Sequence, residues 1–409
     1  LNSLVHESID EDKDSEKYMY TGDLESYEEY IESTGQEFLQ GLLLTHAHVD
    51  HVRNLQFMAP EIPVLMSRAT WILLRTMGEV SSYGDFTKHY LQKLELYGEY
   101  SYFPGEYHRV NDEIARNVKF IDDFDEFDLG GFKITGYPID HSIPGATAYK
   151  IITPSGKKII YTGDIRFHGV KQERENAIHF VNQMQEEEFV DVLISEGTRI
   201  NKIKQESEDN VVSKSIAFIE EHPDANDHAI FLSFPWKSVA RFLSAFEIAM
   251  KTGKILVIQP KLAYFLHKLQ DSSILHSVPI LLNENVRIYQ PRKGTMLYND
   301  ADYIYKKYTI SHDVNWSKGD FPYPYYRDEY HKDINVRAGE IHANPGKFLI
   351  HIQFYDLNEL IDMDVKGGYF FNMRTEPIDE EGEFERNVLE NWLQRFDLEL
   401  VDIHASGHA

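Results

Sequence analysis

The sequence predicts a large α/β protein. Five runs of aliphatic residues, each of strand length, end abruptly in polar or ionisable residues. The middle of the chain alternates between amphipathic helical patterns and short apolar runs. With 409 residues, 42% of them hydrophobic, the chain is long enough for two domains or for one domain with a large insertion.

The five apolar runs are the first elements that the sequence defines. Runs of this kind suit strands buried on both faces of a sheet. Polar side chains at strand ends lie on loops at the rim of a sheet, where ligands gather, so we expect the five rims to build one site. In chain order the runs are GLLLTHAHVDH (41–51), FKITGYPIDHS (132–142), KKIIYTGDIR (157–166), VDVLISEGTR (190–199) and ELVDIHASGH (399–408).

The middle of the chain reads as an inserted α/β unit. The segment WKSVARFLSAFEIAMKTGKILVI predicts an amphipathic helix from Trp236, a stop at Gly253 and a strand over residues 254–258. A helix around NVLENWLQRF and a last strand follow near the end of the chain. We therefore predict a first domain over residues 1–200, an insertion over 201–366 and a return to the first domain over 367–409.

The composition excludes several classes of protein. The chain has no cysteine, so a bound metal would have to use His, Asp or Glu. No apolar run is long enough to span a bilayer and no basic-then-apolar leader opens the sequence, so we expect a soluble, cytoplasmic protein with no membrane partner. The net charge of −26 argues against a surface that coats nucleic acid non-specifically, although a local basic groove is compatible with it.

The first strand end carries a concentrated set of metal-ligand side chains. His46 and His48 alternate, so both rings can point the same way on an extended or tightly turned backbone, and Asp50 and His51 can reach a second position. Imidazole and carboxylate are the ligands that zinc takes when no thiolate is available. This spacing suits two neighbouring ions.

Two further strand ends extend this set. Taken alone, His141 is more often a structural histidine and Asp164 a turn residue. Beside the histidine run, they supply a third imidazole and a carboxylate that can bridge two cations. His342 and His351 lie in the insertion, and we treat both as structural.

The motif His46-x-His48-x-Asp50-His51, with His141 and Asp164, resembles the signature of the metallo-β-lactamase superfamily. The resemblance implies an αββα sandwich with two divalent ions at its rim, most often Zn²⁺, with Mn²⁺ as the alternative. One ion would bind His46, His48 and His141. The other would bind Asp50, His51 and the bridging Asp164. Members with di-iron redox chemistry usually carry a glutamate where this chain has His48, so the resemblance favours hydrolysis.

Glu196 in SEGTR, His408 in SGHA and the α/β insertion resemble the β-CASP nuclease family, and within it ribonuclease J and its relatives. This resemblance implies a nuclease acting on phosphodiester bonds of single-stranded RNA, as a 5′-to-3′ exonuclease, an endonuclease or both. Members also carry a β-hairpin before the first histidine motif and a final metal-binding histidine after SGHA. The chain shows no clear equivalent of either, and we expect such segments to belong to a longer protein.

The resemblance also implies roles for individual residues. Asp50 or Asp164 would orient or deprotonate water, and Glu196 would fix the tautomer of a ligand imidazole. His408 would contact the phosphate and assist the leaving oxygen. A pocket for a 5′ phosphate would be formed by His404, Ser406, His408 and Ser233; turn capping and strand-end hydrogen bonding explain three of these, His404, Ser406 and Ser233, equally well.

Six cations flank the motifs and could contact a nucleic-acid backbone, or could equally lie on solvated helix faces. They are Arg199, Lys202, Lys204, Lys237, Arg241 and Arg374. The sequence is also compatible with a homo-oligomer. The alternative function is a small-molecule metallohydrolase of the same fold, such as a thioesterase, lactonase or glyoxalase-like enzyme, which would have no use for Glu196, His408 or the insertion.

Overall fold

The computed structural model describes the chain with gaps. The described residues are 35, 39–55, 58, 62–80, 88–90, 94–96, 107–109, 113–122, 124–187, 189–198, 206–271, 284–292, 335–375, 382–406 and 408. Arg199, Lys202 and Lys204 lie outside them.

The strands, in chain order, are β1 (Leu42–Leu43), β2 (Val64–Met66), β3 (Lys88–Tyr90), β4 (Leu94–Leu96), β5 (Tyr107–Arg109), β6 (Glu113–Ala115), β7 (Val118–Phe120), β8 (Glu126–Leu129), β9 (Phe132–Pro138), β10 (Thr147–Ile152), β11 (Lys158–Tyr161), β12 (Val192–Ile194), β13 (Ala229–Ser233), β14 (Ile255–Ile258), β15 (Val286–Gln290), β16 (Asn335–Arg337), β17 (Phe348–His351), β18 (Gly368–Asn372) and β19 (Leu398–Asp402). The α-helices are α1 (Val49–Val52), α2 (Arg68–Val80), α3 (Lys171–Gln185), α4 (Glu208–Glu221), α5 (Val239–Thr252), α6 (Pro260–Asp271), α7 (Ala338–Ala343), α8 (Glu359–Met363) and α9 (Glu383–Phe396). Each of the five apolar runs forms a strand, as predicted.

The first part of the chain is layered as helix, sheet, sheet, helix. A parallel sheet in the order β1-β2-β7 faces a mixed sheet in the order β12-β11-β10-β9-β8. Leu65, Ile134 and Tyr149 are buried together, and the Tyr149 hydroxyl donates a hydrogen bond to the Leu44 carbonyl at 2.7 Å. Helix α2 packs on the first sheet through Leu73, and α3 packs on the second through Phe180. The αββα arrangement confirms the predicted fold class for this part.

The mixed sheet gathers three of the predicted strand ends at one edge. Strand β10 is antiparallel to β9 and to β11, and β11 is parallel to β12. Strands β9, β11 and β12 therefore run in one direction, so their carboxyl ends meet at the same edge. His141, Asp164 and Glu196 each follow one of these ends.

The second large sheet is wholly parallel, in the order β16-β15-β14-β17-β13-β18-β19. The carboxyl ends of parallel strands form one edge, where ligands bind in open α/β sheets. The loops that follow Ser233, Asn372 and Asp402 lie at this edge. This α/β unit confirms the predicted alternation of helices and strands.

The predicted boundary at residue 366 falls inside this sheet. Strand β18 pairs with β13 on one side and with β19 on the other, in register from Gly368 to Asn372. We therefore propose that the return toward the first domain begins after Asp402, in the segment that carries His404, Ser406 and His408.

Helix α5 begins three residues later than the sequence predicted from its amphipathic pattern. Ser238 is its N-cap and accepts a hydrogen bond from the Arg241 amide, so Trp236 and Lys237 stay in the preceding loop. At the other end Gly253 adopts a φ of +68°, as the predicted glycine stop requires.

The prediction that every run is buried on both faces is wrong for β12. Val192, Leu193 and Ile194 are 43%, 65% and 49% exposed. Strand β12 lies at the end of the order β12-β11-β10-β9-β8, so within the described part of the chain it pairs on one side only.

The two parts of the chain share a core. Leu44 and Leu73 belong to the same buried cluster as Phe242 and Phe265 of the α/β unit. The Tyr264 hydroxyl on α6 donates to the Glu79 carboxylate on α2 at 2.7 Å. Among the described helices, none combines the length and apolar character needed to cross a membrane.

Candidate metal centre

The stretch from His46 to His51 changes from extended to helical backbone at His48, which has φ −67° and ψ 145° and precedes α1. The rings of His46 and His48 come within 4.8 Å, centroid to centroid. The helical turn directs Asp50 outward, so its side chain is 80% exposed, and brings His51 to 3.2 Å from Asp164.

Four of the six predicted ligands form a tight group. His46, His48, His141 and Asp164 each offer one ligand atom, and these atoms lie within 4.8 Å of one another. The Nδ1 atom of His48 and the Nε2 atom of His141 are 3.0 Å apart. The Nε2 atom of His46 lies 3.5 Å from Oδ2 of Asp164.

The loops that carry these ligands are fixed by backbone contacts. Asp140 and Arg166 form an isolated β-bridge, which ties the residue before His141 to a residue after Asp164. Gly163 has a φ of +58°, and a Cβ atom there would lie 2.8 Å from the Thr45 side chain. A glycine is therefore needed for Asp164 to approach the His46 loop so closely.

Burial sets the protonation of the imidazoles. Burial, followed by the charges of His48 and His51, lowers the pKa of His46 to about 3. Burial, followed by the charge of Lys237, lowers the pKa of His48 to about 3, and burial lowers the pKa of His141 well below its ordinary value. These three rings are neutral at pH 7, which is the form that binds a metal ion.

Asp164 remains an anion among these rings. Burial acts to raise its pKa, but the hydrogen bond from His51 and the neighbouring imidazoles leave that pKa below its ordinary value. The same hydrogen bond raises the pKa of His51. The group thus combines neutral nitrogen donors with one carboxylate.

These residues fit a divalent cation. Nε2 of His46 is buried and has no hydrogen-bond partner among the described residues, while Nδ1 of the same ring lies 3.0 Å from the Thr45 hydroxyl. A buried polar atom without a partner is costly, and a metal ion would satisfy it. The cluster therefore indicates a divalent-metal site.

A second group shares Asp164 with the first. Asp164, Glu196 and His408 also offer ligand atoms within 4.8 Å of one another. Oε2 of Glu196 lies 2.9 Å from Nδ1 of His408, and the Ile165 amide donates to the other oxygen of Glu196. The structure thus places Glu196 against His408, whereas we expected it to contact an imidazole of the six-ligand set.

The four residues expected to form a 5′-phosphate pocket differ in their relation to the cavity at the metal centre. His408 lines the cavity at the metal centre, but His404, Ser406 and Ser233 do not. His404 lies 3.3 Å from Asp402, and the Ser406 hydroxyl bonds the backbone of His408 in a turn. Ser233 is buried as the last residue of β13.

A cavity of about 230 Å³ opens beside the metal ligands. Its lining residues from the first part of the chain are His48, Asp50, Ser142, Ile143 and Asp164. From the α/β unit come Pro235, Lys237, Ser238 and Thr375, and His408 comes from the segment that follows β19. The two sheet edges therefore meet at this cavity.

Three of the six cations that could contact a nucleic-acid backbone lie within the described residues, and their surroundings differ. Arg241 is 1% exposed and bonds the Ala405 carbonyl and Glu208, so it is an interior residue. Arg374 donates to Asn372 at 2.9 Å. Lys237 lies in the cavity.

Sequence reasoning missed a buried ionic network behind the site. The Arg166 guanidinium bonds Asp140 at 2.7 Å, Glu208 at 3.5 Å and the Ser406 carbonyl at 3.2 Å. His168 also lies 2.9 Å from the Ser406 carbonyl. The available signal was that Asp140 directly precedes His141 and that Arg166 lies two residues after Asp164. A charged residue at a strand end is nevertheless expected at the surface unless its partner is known.

No family model matches the chain. The chain is similar to ribonuclease J from Mycoplasma genitalium, with 25% identity over 59% of this chain and 36% of the relative. It is also similar to ribonuclease J from Mycoplasma pneumoniae, with 27% identity over 36% of this chain and 21% of the relative. The chain thus spans about a third or less of the length of these curated relatives.

A crystal structure of a protein of unknown function from Enterococcus faecalis V583 shares the fold. Its TM-score is 0.60 at 20% identity, over 90% of this chain and 70% of that chain. The sequence likeness to ribonuclease J agrees with the resemblance of the histidine motif to the metallo-β-lactamase signature.

Proposed function

We propose that the chain is a two-metal-dependent nuclease that hydrolyses phosphodiester bonds in single-stranded RNA. The main support is that two groups of possible metal ligands share Asp164 beside one cavity. The groups are His46, His48, His141 and Asp164, and Asp164, Glu196 and His408. The likeness to ribonuclease J supports RNA as the substrate. The proposal includes Zn²⁺ as the resident ion, with Mn²⁺ as the alternative, and a cytoplasmic location.

His46, His48 and His141 would hold the first ion, with Asp164 shared between both. A divalent cation supplies charge neutralisation for a phosphate oxygen and lowers the pKa of a bound water toward about 7. Asp50 is better placed than Asp164 to orient or deprotonate the attacking water. Its carboxylate is exposed at the cavity, whereas Asp164 is hydrogen-bonded to His51.

His408 would assist the leaving oxygen. The Glu196 carboxylate accepts from Nδ1–H of His408, which fixes the tautomer and orientation of the ring. Nε2 is then the atom through which the ring would hydrogen-bond a phosphate or the leaving group. With the second ion on Asp50, His51 and Asp164, Glu196 would act as a positioning residue for His408.

The mode of cleavage belongs to the same proposal. We propose 5′-to-3′ exonuclease activity, endonuclease activity or both. His404, Ser406, His408 and Ser233 remain the predicted 5′-phosphate pocket. We propose that the α/β unit, which brings Lys237 and Thr375 to the cavity, is an inserted β-CASP domain. His408 reaches the cavity from the segment after Asp402.

One assay tests the function. Wild-type protein and His48→Ala are incubated with 5′-monophosphorylated RNA, 5′-triphosphorylated RNA and matched DNA, with and without a chelator. We expect chelator-sensitive release of mononucleotides from monophosphorylated RNA, abolished by His48→Ala. The matched control is His342→Ala, because His342 bonds the Asp364 carbonyl at 3.0 Å and does not line the cavity.

The opposite result would be cleavage of a thioester or lactone with all polynucleotides intact. That outcome would replace the nuclease with a small-molecule metallohydrolase of the same fold.

A further inference from the structure

The cavity at the metal centre contains one lysine, Lys237, and no arginine among its described lining residues. Lys237 forms no hydrogen bond or ion pair with any other described residue, although Asp50 lies close enough to act on it electrostatically. The chain carries 67 acidic residues against 41 lysines and arginines, so most lysines have a carboxylate available as an ion-pair partner. The lack of such a pair at Lys237 suggests that its charge serves a ligand. The remaining polar lining is supplied by hydroxyls, imidazoles and carboxylates.

The loop that carries Lys237 is held on both sides. The Phe234 carbonyl accepts a hydrogen bond from Nε2 of His351 at 2.9 Å. The Trp236 amide donates to Gln353 at 3.3 Å, and Ser238 caps α5. The backbone of Lys237 is therefore fixed before any ligand arrives, which lowers the entropic cost of a contact with a ligand.

The ammonium group shares its cavity with metal ligands. Lys237 lines that cavity together with His48, Asp50 and Asp164. Burial lowers the pKa of Lys237, and the charge of Asp50 opposes that effect. A half-buried ammonium beside neutral imidazoles is well placed for an anionic ligand.

We propose that Lys237 binds a non-bridging oxygen of the scissile phosphodiester and selects anionic diesters over neutral esters. This inference rests on the proposed function. Thr375 faces the same cavity and supplies a hydroxyl from the neighbouring strand end. A neutral lactone or thioester would gain nothing from an ammonium at this position, whereas each phosphodiester carries one negative charge.

The test uses Lys237→Gln and Lys237→Arg in the metal-loaded chain, with Lys251→Gln as the matched control. Lys251 lies on α5, is 56% exposed and pairs with Glu247 at 2.7 Å, so its substitution removes the same charge away from the cavity. The substrates are single-stranded RNA, bis(p-nitrophenyl) phosphate and the neutral ester p-nitrophenyl acetate.

We expect Lys237→Gln to lower kcat/KM for both phosphodiesters by about ten- to a hundredfold, as for loss of a charged hydrogen bond. Any acetate hydrolysis and the bound metal content stay unchanged. Lys237→Arg restores most of the loss, and Lys251→Gln matches wild type.

A second measurement does not depend on turnover. Fluorescence anisotropy of labelled single-stranded RNA, with metal removed, gives the slope of log Kd against log salt. Loss of one phosphate contact should reduce that slope by about 0.7 in Lys237→Gln relative to Lys251→Gln.

The two proposals can fail separately. If wild type cleaves both diesters while Lys237→Gln behaves like Lys251→Gln in rate and in salt slope, the assignment of Lys237 is overturned and the nuclease stands. If wild type cleaves neither diester, the proposed function is overturned, and this inference falls with it.

Discussion

At the residue scale, Asp164 lies at the junction of two donor groups. Its Oδ2 atom is 3.5 Å from His46, 3.2 Å from His51 and 4.0 Å from His408. The sequence resemblance pairs Asp164 with Asp50 and His51 for the second ion. The structure offers Glu196 and His408 as an alternative pair, because α1 directs Asp50 toward solvent.

Metal titration distinguishes these ligand sets. We expect Glu196→Gln to weaken the second ion by about tenfold or more, because a carboxylate within ligand distance of Asp164 is lost. We expect Asp50→Asn to change that affinity by less than about threefold, since its carboxylate is exposed. Competition with a chromophoric chelator measures both. Loss of the ion in Asp50→Asn but not in Glu196→Gln would favour the set predicted from sequence.

At the element scale, two loops hold the site in place. The β11 loop turns at Gly163 to bring Asp164 toward the histidines. The β13 loop is held by His351, whose ring stacks on Phe234 at 4.1 Å between centroids and is fully buried. The position of each loop depends on one residue that does not line the cavity, Gly163 in the first loop and His351 beside the second.

Gly163→Ala should destabilise the chain and weaken metal binding. Its φ of +58° costs an alanine about 1–2 kcal/mol, and the new Cβ would also collide with Thr45. Gly156→Ala is the control, because Gly156 has a φ of +82° but open space around it. Thermal unfolding and metal titration of both variants separate the collision from the backbone cost. Equal behaviour of the two variants would remove the close approach as the reason for a glycine at 163.

His351 should make stability depend on pH. Burial lowers the pKa of His351 to about 4, so the folded chain holds this ring neutral. The stabilisation is complete above the unfolded pKa of about 6.5 and is lost as the pH falls toward 4, amounting to about 2 kcal/mol between pH 7 and pH 5.

His351→Gln keeps a donor for the Phe234 carbonyl but does not titrate. The difference in unfolding free energy between wild type and His351→Gln should therefore shrink as the pH falls from 7 to 5. A difference that stays constant over this pH range would contradict the assignment of the pH dependence to His351. Because His351 contacts the loop before Lys237, the same variant is also expected to raise KM for a phosphodiester.

At the scale of the whole molecule, the site exists only where two sheet edges meet. The first part supplies His46, His48, His141, Asp164 and Glu196, the α/β unit supplies the loop of Lys237, and the segment after β19 supplies His408. Behind them, Glu208 accepts from Arg166 at 3.5 Å, from Arg241 at 3.3 Å and from Ser244 at 2.9 Å. Both arginines also bond carbonyls of the segment before His408.

Glu208→Gln should lower the unfolding free energy by about 3–5 kcal/mol, because it leaves the buried Arg241 guanidinium without its carboxylate partner and removes one of the carboxylates around Arg166. Glu247→Gln is the matched control: it breaks an exposed pair and should cost less than about 1 kcal/mol. Chemical denaturation measures both. A Glu208→Gln variant as stable as Glu247→Gln would show that the network contributes little.

The sequence predicted the parts of this molecule that depend on local pattern. The strand ends could be predicted because an apolar run stops where polar and ionisable residues begin, as after Leu44 and after Tyr161. The first residue of α5 could not be predicted, because the amphipathic pattern already begins at Trp236, before the N-cap residue Ser238. The exposure of β12 and the burial of Arg241 depend on sheet order and on distant partners, which a single sequence does not reveal.

The ionic network has a consequence for how related chains can diverge. Asp140, Arg166, Glu173, Glu208 and Arg241 form one ionic network in which each charge depends on its neighbours. Replacing one of them leaves a buried charge without a partner, which lowers stability. Replacing all of them with apolar side chains of similar volume can leave the stability unchanged. Homologues should therefore keep these positions charged together or lose them together, a covariation that an alignment can measure.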